Sequence, residues 1–433
     1  MVGKTVLDNG LTVVTELLPE FRSCTLGIWV RTGSRYERPD EAGLSHFIEH
    51  MFFKGTRRRT ASEIAEAMDA VGGNLNAFTE KEQTCYYARV MDEHLPVALD
   101  ILSDMLLHSR FDEEEMAREK GVILEEIKMY EDAPDELIFD LFTRALWGDH
   151  PLGRPILGER EVVAGLTREK LCAYLQRHYV PSKILVAAAG RVDHDHLAEE
   201  VSRWYAADAP AAPGDEAPAP TTRPGVTVYS RDVEQVYLCY GTEGLRVTDE
   251  RRYALLVLDS ILGGSTSSRL FQEIREKRGL VYTVCTFQNS YSDAGVFGVY
   301  AGTSAEKLEE VLALIRKILV EVRGQGLTDA ELRRAREHLK GSMALALEST
   351  SSRMTRLARS ETYHGRVIPL EELIARIDAV THADVMELAE TMLDPARYTL
   401  TVLGPLDRVE GVPAEPLPVS RSLRERAAAR SAG

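Results

Sequence analysis

Cysteine is scarce in this chain: five thiols among 433 residues (Cys24, Cys85, Cys172, Cys239 and Cys285), odd in number, far apart and without a CxxC pair. That excludes a disulfide framework and a thiolate metal cluster, and fits free, mostly buried thiols in a reducing compartment. Long apolar runs are missing too. No stretch approaches the ~20 residues that a helix needs to cross a bilayer. The glycine pattern of a phosphate loop is absent, since Gly263-Gly264 lacks the following Gly-Lys-Ser/Thr. Positive charge is in deficit, with 52 Lys and Arg against 68 Asp and Glu and a net charge of -16. Sequence-independent binding to nucleic acid, which relies on basic side chains neutralising phosphates, is therefore not expected. The opening MVGKTVLDNGLTVV runs straight into a strand-like pattern with an Asn-Gly turn, so a cytoplasmic protein is expected.

What is present is an ordinary globular composition, 44% hydrophobic and 28% charged, in a chain long enough for two packing units. The Pro/Ala-rich stretch at 208–225 has no apolar periodicity and reads as a linker. On either side of it the sequence repeats. LTREKLCAYLQRHYVPSKILVAAAG (166–190) aligns without a gap on VTHADVMELAETMLDPARYTLTVLG (380–404), an offset of 380 - 166 = 214. Each copy reads as a Thr N-cap, an amphipathic helix, a proline and a hydrophobic strand. The expectation is an α+β protein of two homologous domains, 1–207 and 226–411. Each should hold a mostly antiparallel or mixed sheet with helices on one face, and a disordered tail should follow at 412–433.

The chemistry concentrates in SHFIEHMFFKG, residues 45–55. On a helix, His46 and His50 stand one above the other and can direct ring nitrogens at one cation, with Glu49 beside them as a candidate general base. Leu44, Phe47 and Met51 supply the apolar stripe that would pack such a helix. Two imidazoles hold zinc weakly, so a third ligand is required. AREKGVILEEIKMYED (117–132) offers carboxylates: Glu119 and Glu126 share a face at two helical turns, while Glu125 points about 100° away from Glu126. Spacing alone does not choose between Glu125 and Glu126. The His194/His196 pair in DHDH lies two residues apart, on different faces, and reads as the polar start of a helix.

The order HFIEH, then GGNLNAFTEKEQTCYYARV (72–90), then EKGVILEEIKMYED resembles the pitrilysin/insulinase-type zinc metallopeptidases, closest to mitochondrial-processing-peptidase-like proteins of bacteria, with their inverted HxxEH motif. The resemblance implies one zinc ion per chain held by His46, His50 and Glu126, with Glu49 as general base and Glu119 in support. It implies an endopeptidase that cleaves unfolded peptides by Glu-assisted attack of zinc-bound water. The peptide would add as an extra strand along Asn76, Ala77 and Phe78. In the second half Leu256, Asp259 and Ser260 align opposite His46, Glu49 and His50, and Ser342 falls roughly opposite Glu126, so no second zinc site is expected. SSRLFQEIREKRGLVYTV (267–284) instead matches the segment whose arginine and tyrosine, here Arg275 and Tyr282, contact substrate near the zinc of the facing unit. A homodimer in which these two residues complete the partner's site is the implied assembly. The acidic balance favours basic peptides as substrates. The alternative within the same fold is a non-catalytic scaffold subunit.

Overall fold

A computed structural model describes residues 1–206 and 218–416. Most of the expected linker (207–217) and of the expected tail (417–433) lies outside the described residues. The strands are β1 (Val2–Val6), β2 (Thr12–Leu17), β3 (Ser23–Val30), β4 (Asn74–Thr79), β5 (Thr84–Met91), β6 (Ile184–Gly190), β7 (Gly225–Ser230), β8 (Val236–Glu243), β9 (Val281–Ser290), β10 (Gly295–Thr303) and β11 (Thr399–Gly404). The helices are α1 (Leu44–Phe52), α2 (Ala61–Asp69), α3 (Leu95–His108), α4 (Glu113–Glu131), α5 (Pro134–Trp147), α6 (Arg160–Ala164), α7 (Arg168–His178), α8 (His194–Trp204), α9 (Arg252–Leu262), α10 (Leu308–Gln325), α11 (Asp329–Ala346), α12 (Thr350–His364), α13 (Leu370–Ala379) and α14 (His382–Met392). None of the described helices is long and apolar enough to cross a membrane.

The chain divides into two compact units, each an α+β structure built on a mixed six-stranded sheet. In the first unit the strand order is β1-β2-β6-β3-β5-β4, antiparallel except for the β2–β6 pair. The main core lies on one face, where Leu26, Ile28, Val186 and Ala188 meet Phe47, Phe52, Leu102 and Tyr174 from the helices. Alternation along the strands sends Val14, Trp29, Leu185 and Ala187 to the other face, which is covered by a single helix, α12, through Met354, Leu357 and Ala358. Polar contacts fix α12 as well: Thr25 bonds Thr350 at 2.9 Å, and Arg353 donates to Glu16 at 2.9 Å.

The second unit repeats the order: a two-residue strand Glu415–Pro416, then β7-β11-β8-β10-β9. The repeat seen in sequence is α7 with β6 and α14 with β11, capped by Thr167 and Thr381, whose side chains accept from the third backbone N–H of each helix. The units are not contiguous halves. Tyr130–Asp149, with α5, belongs to the second unit, and Lys340–Ala375, with α12, belongs to the first. Residues 412–416, expected in the tail, form short strands, and Glu415–Pro416 pairs with β7.

Candidate metal centre

Helix α1 begins without an N-capping side chain of its own. Gly43 holds φ at +93°, and a Cβ there would meet the Leu157 carbonyl oxygen at 2.6 Å, so glycine is required. The orphan N–H groups of the first turn are satisfied from a distance: Gly43 N–H and Ser45 N–H donate to the two carboxylate oxygens of the buried Glu37 at 2.8 and 2.6 Å. The apolar stripe Leu44, Phe47, Ile48 and Met51 is buried in the core. The opposite flank therefore turns His46, Glu49 and His50 out together, and the two imidazole rings lie 4.5 Å apart.

Helix α4 supplies the carboxylates. Glu126 Oε1 lies 3.8 Å from His46 Nε2, and its Oε2 lies 3.7 Å from His50 Nε2. Ligand atoms of His46, His50 and Glu126 all fall within 4.8 Å of one another, the single such group of three or more among the described residues. Glu125 faces away and is ion-paired with Lys128 on the surface. The choice that spacing left open thus goes to Glu126. Two turns earlier, Glu119 accepts from His50 Nδ1–H at 2.8 Å and pairs with Lys54 Nζ at 2.6 Å. This bond leaves the Nε2 lone pair of His50 free to bind a cation.

The donor set fits zinc. Tetrahedral bonds of about 2.0–2.1 Å place donors roughly 3.4 Å apart; each imidazole Nε2 lies within a few tenths of an ångström of that spacing from one Glu126 oxygen, a different oxygen for each ring, and all three ligand atoms fall within 4.8 Å. Burial and the neighbouring His50 push the His46 imidazole down to about 4, so its ring is neutral at ordinary pH. His46 Nδ1 is buried without a hydrogen-bond partner among the described residues. Burial would lower His50 as well, but the Glu119 carboxylate, helped by Glu126 and Glu49, outweighs it and holds that ring above its usual value.

Glu49 is raised above the ordinary carboxylate range, by burial first and by the Glu126 charge, against the bond from Thr79. Thr79 Oγ1 donates to Glu49 Oε2 at 2.5 Å. A single carboxylate oxygen is thereby pinned, and the other remains to exchange a proton. Thr79 ends β4, the edge strand of the first sheet. On this strand Leu75 and Ala77 pack toward the helical core, while Phe78 turns to the other face and meets Trp29 edge-on at 5.4 Å. Asn76 is exposed, and its Oδ1 accepts from the Ala77 N–H at 2.8 Å.

In the second unit Arg275 sits in a π-helical turn, Phe271–Glu276, a conformation often found at functional sites. Its guanidinium lies 4.8 Å from the Phe271 ring centre and 5.6 Å from that of Tyr282, so the pair named from the sequence is brought together. Tyr282 is 77% exposed. Leu256, Asp259 and Ser260 lie on α9, where the chain offers no imidazole.

Sequence reading passed over Thr79, Lys54 and Glu37. Two of them carried a signal. Lys54 continues the i, i+4 series 46, 50, 54. Thr79 shares the strand parity of Leu75 and Ala77, which points it at α1. Nothing local marks Glu37 as a cap for a helix that starts seven residues later.

Fold and site together define a two-unit α+β protein in which one unit carries a His/His/Glu cation cradle with an adjacent acid. Residues 12–160 match the insulinase family, peptidase family M16, and residues 165–339 match the peptidase M16 inactive domain. An uncharacterized zinc protease of Bacillus subtilis (strain 168), YmxG, is 42% identical over 94% of this chain and 98% of its own length. An uncharacterized zinc protease of Streptomyces coelicolor is 45% identical over 94% and 90%. The fold is similar to that of a peptidase M16 inactive domain from Pseudomonas fluorescens, with a TM-score of 0.88 at 21% identity, covering 96% of this chain and 100% of that one. A protease from Helicobacter pylori gives 0.86 at 21% identity, covering 94% and 99%. The chain belongs to peptidase family M16.

Proposed function

We propose that this protein is a zinc-dependent endopeptidase that cleaves extended, unfolded peptides in the cytoplasm. The observation that carries the reading is the convergence of His46, His50 and Glu126 from two distant segments, with Glu49 on the same helix flank. The names of the relatives, zinc proteases, agree with it. His46 Nε2, His50 Nε2 and a Glu126 oxygen would hold the ion. An ion held by these residues would supply Lewis acidity, polarising water and the substrate carbonyl and bringing the pKa of that water down toward about 7.

The chain's own side chains do the rest. The free Glu49 oxygen takes a proton as the water oxygen bonds to the peptide carbon, and returns it to the amine nitrogen as the C–N bond breaks. Thr79 holds the other Glu49 oxygen so that the carboxylate meets this path in one orientation. The β4 edge gives the peptide a backbone partner along Asn76, Ala77 and Phe78, and such pairing selects for extended chain more than for sequence. Arg275 and Tyr282, supplied by a second subunit, would donate to the substrate oxyanion that forms on attack.

Glu49→Gln tests the reading. Metal content by elemental analysis should match the wild type, because Glu49 is not one of the three ligands. Cleavage of an unfolded peptide should fall roughly 10²- to 10⁴-fold. Undiminished turnover in this variant, or in protein stripped by a chelator, would refute the role of the base or of the metal respectively.

A further inference from the structure

The turn that joins β4 to β5, Glu80-Lys81-Glu82-Gln83, has the charged and polar composition of a solvent-exposed loop. It is largely buried instead: Lys81 is 9% exposed, Glu82 5% and Gln83 1%. Its backbone is held from within and from outside. Glu80 N–H donates to the Gln83 carbonyl at 2.7 Å, closing the turn, and the Glu80 and Lys81 carbonyls accept from the N–H groups of Ser34 and Arg35 at 3.2 and 2.8 Å. Gly33 permits this approach, since a Cβ there would meet the Glu80 carbonyl oxygen at 2.1 Å.

Side chains hold the turn a second time. Arg35 Nη1 donates to Glu82 Oε1 at 2.7 Å, with both side chains buried. Glu82 Oε2 accepts from Tyr363 OH at 2.9 Å, and the same phenol oxygen accepts from Gln83 Nε2 at 3.0 Å. Tyr363 lies 281 residues beyond Glu82, on α12, the helix that covers the second face of the first sheet. Arg359, one turn earlier on α12, pairs with Glu80. Stability alone does not account for a buried ion pair, because desolvation offsets its attraction and apolar residues of the same volume would serve as well. A fully bonded polar network adds something else, a fixed orientation of the groups in it. One residue away, that orientation reaches the site. Thr79, bonded to Glu80 and paired with Thr84 across the hairpin, donates to Glu49 Oε2 at 2.5 Å. A hydrogen bond weakens steeply as its donor shifts or tilts, so slack in the turn passes directly to the base.

We propose that Tyr363 is a positioning residue for the hydrolysis: by bonding Glu82 and Gln83 it locks the β4–β5 turn, and through the turn it sets Thr79 against Glu49. The proposal rests on the peptidase reading and deepens it, adding a helix from the distal part of the chain to the parts that aim the base. Because the action of Tyr363 runs through Thr79, its loss and that of the Thr79 hydroxyl should not multiply, whereas a general loosening of the fold would add to any other defect.

Tyr363→Phe removes the hydroxyl and keeps the ring. With an unfolded peptide as substrate, kcat should fall about tenfold, with KM and metal content unchanged. In a Thr79→Val background the same substitution should change kcat by less than about twofold, because the bond it aims is already gone. Thr350→Val is the control: it takes a hydroxyl from the start of the same helix, where Thr25 keeps Ser351 as a second partner at 3.2 Å, and its kcat should match the wild type. Amide hydrogen exchange reads the clamp without catalysis. The Glu80 and Arg35 amides should exchange about tenfold faster in Tyr363→Phe and at the wild-type rate in Thr350→Val. Undiminished kcat in Tyr363→Phe, an equal loss with and without the Thr79 hydroxyl, an equal loss in Thr350→Val, or unchanged exchange each overturns the proposal. A wild type that cuts no unfolded peptide at any zinc loading defeats the peptidase reading instead, and the exchange rates then decide the clamp by themselves.

Discussion

Residue identity was most legible where a short spacing has a single geometric meaning. His46, Glu49 and His50 share a flank because any helix with Leu44, Phe47 and Met51 inside must put them there. Glu126 was different. Its neighbour Glu125 is the same residue type on the same helix, and which of them faces α1 depends on how α4 is rotated in the packed core, a tertiary fact. Thr79 lies between these cases, since its strand parity was readable but its partner was not. Its role gives a prediction. Thr79→Val keeps the shape of the side chain and removes the hydroxyl that holds Glu49 Oε2. We expect kcat to fall about ten- to a hundredfold, with KM and metal content unchanged. Thr79→Ser, which restores the donor, should recover most of the rate. Equal kcat in Val and Ser variants would show that the hydroxyl merely fills space.

At the level of elements, the repeated α7–β6 and α14–β11 units were legible in position, and the helical character of α1 in its spacing, because apolar periodicity and Thr caps are local signals, whereas the edge strand at 76–78 followed only from the family resemblance. The capping of α1 by Glu37 was not legible, as it joins segments through a loop. It has a consequence for stability. Burial pushes the Glu37 carboxyl up from its ordinary value near 4.5 to about 7, more than the bonds from Ser45 and Gly43 and the charge of Lys81 hold it down. A carboxyl raised in the folded state binds more protons there than in the unfolded chain between those two values. Its contribution to stability is therefore full below about pH 4.5 and is lost as pH rises through about 7, on the order of 3 kcal/mol in all. Urea unfolding of chelator-treated protein from pH 5 to 8 should show this decline. Glu37→Gln should be weaker at pH 5, by about 1–2 kcal/mol for a broken N–H bond, but should lack that component of the slope. Parallel pH curves for the two proteins would rule out Glu37 as its source.

Over the whole molecule, the duplication was legible in a gapless offset, yet the exchange of α5 and α12 between units was not: an amphipathic helix announces that it covers a sheet, not which sheet. The two copies have also diverged in what they carry. One holds the cation cradle, and the other holds Arg275 beside Tyr282 on a π-helical turn. If the second pair serves the site of a partner subunit in a homodimer, two dead proteins should rescue each other. Arg275→Ala is expected to lose about 10²- to 10³-fold in kcat, as removal of a donor to an oxyanion does. Mixed with Glu49→Gln at equal concentration and allowed to exchange subunits, half of the dimers become hybrids. In each hybrid one site combines an intact Glu49 with the partner's intact Arg275, while the other lacks both. One site in two, in half the dimers, restores about a quarter of wild-type activity. If the arginine served its own subunit's metal, every site would still lack one group and the mixture would stay inactive. A mixture that forms hybrids by mass yet recovers nothing therefore assigns Arg275 to its own chain, and the homodimer would lose its mechanistic reason.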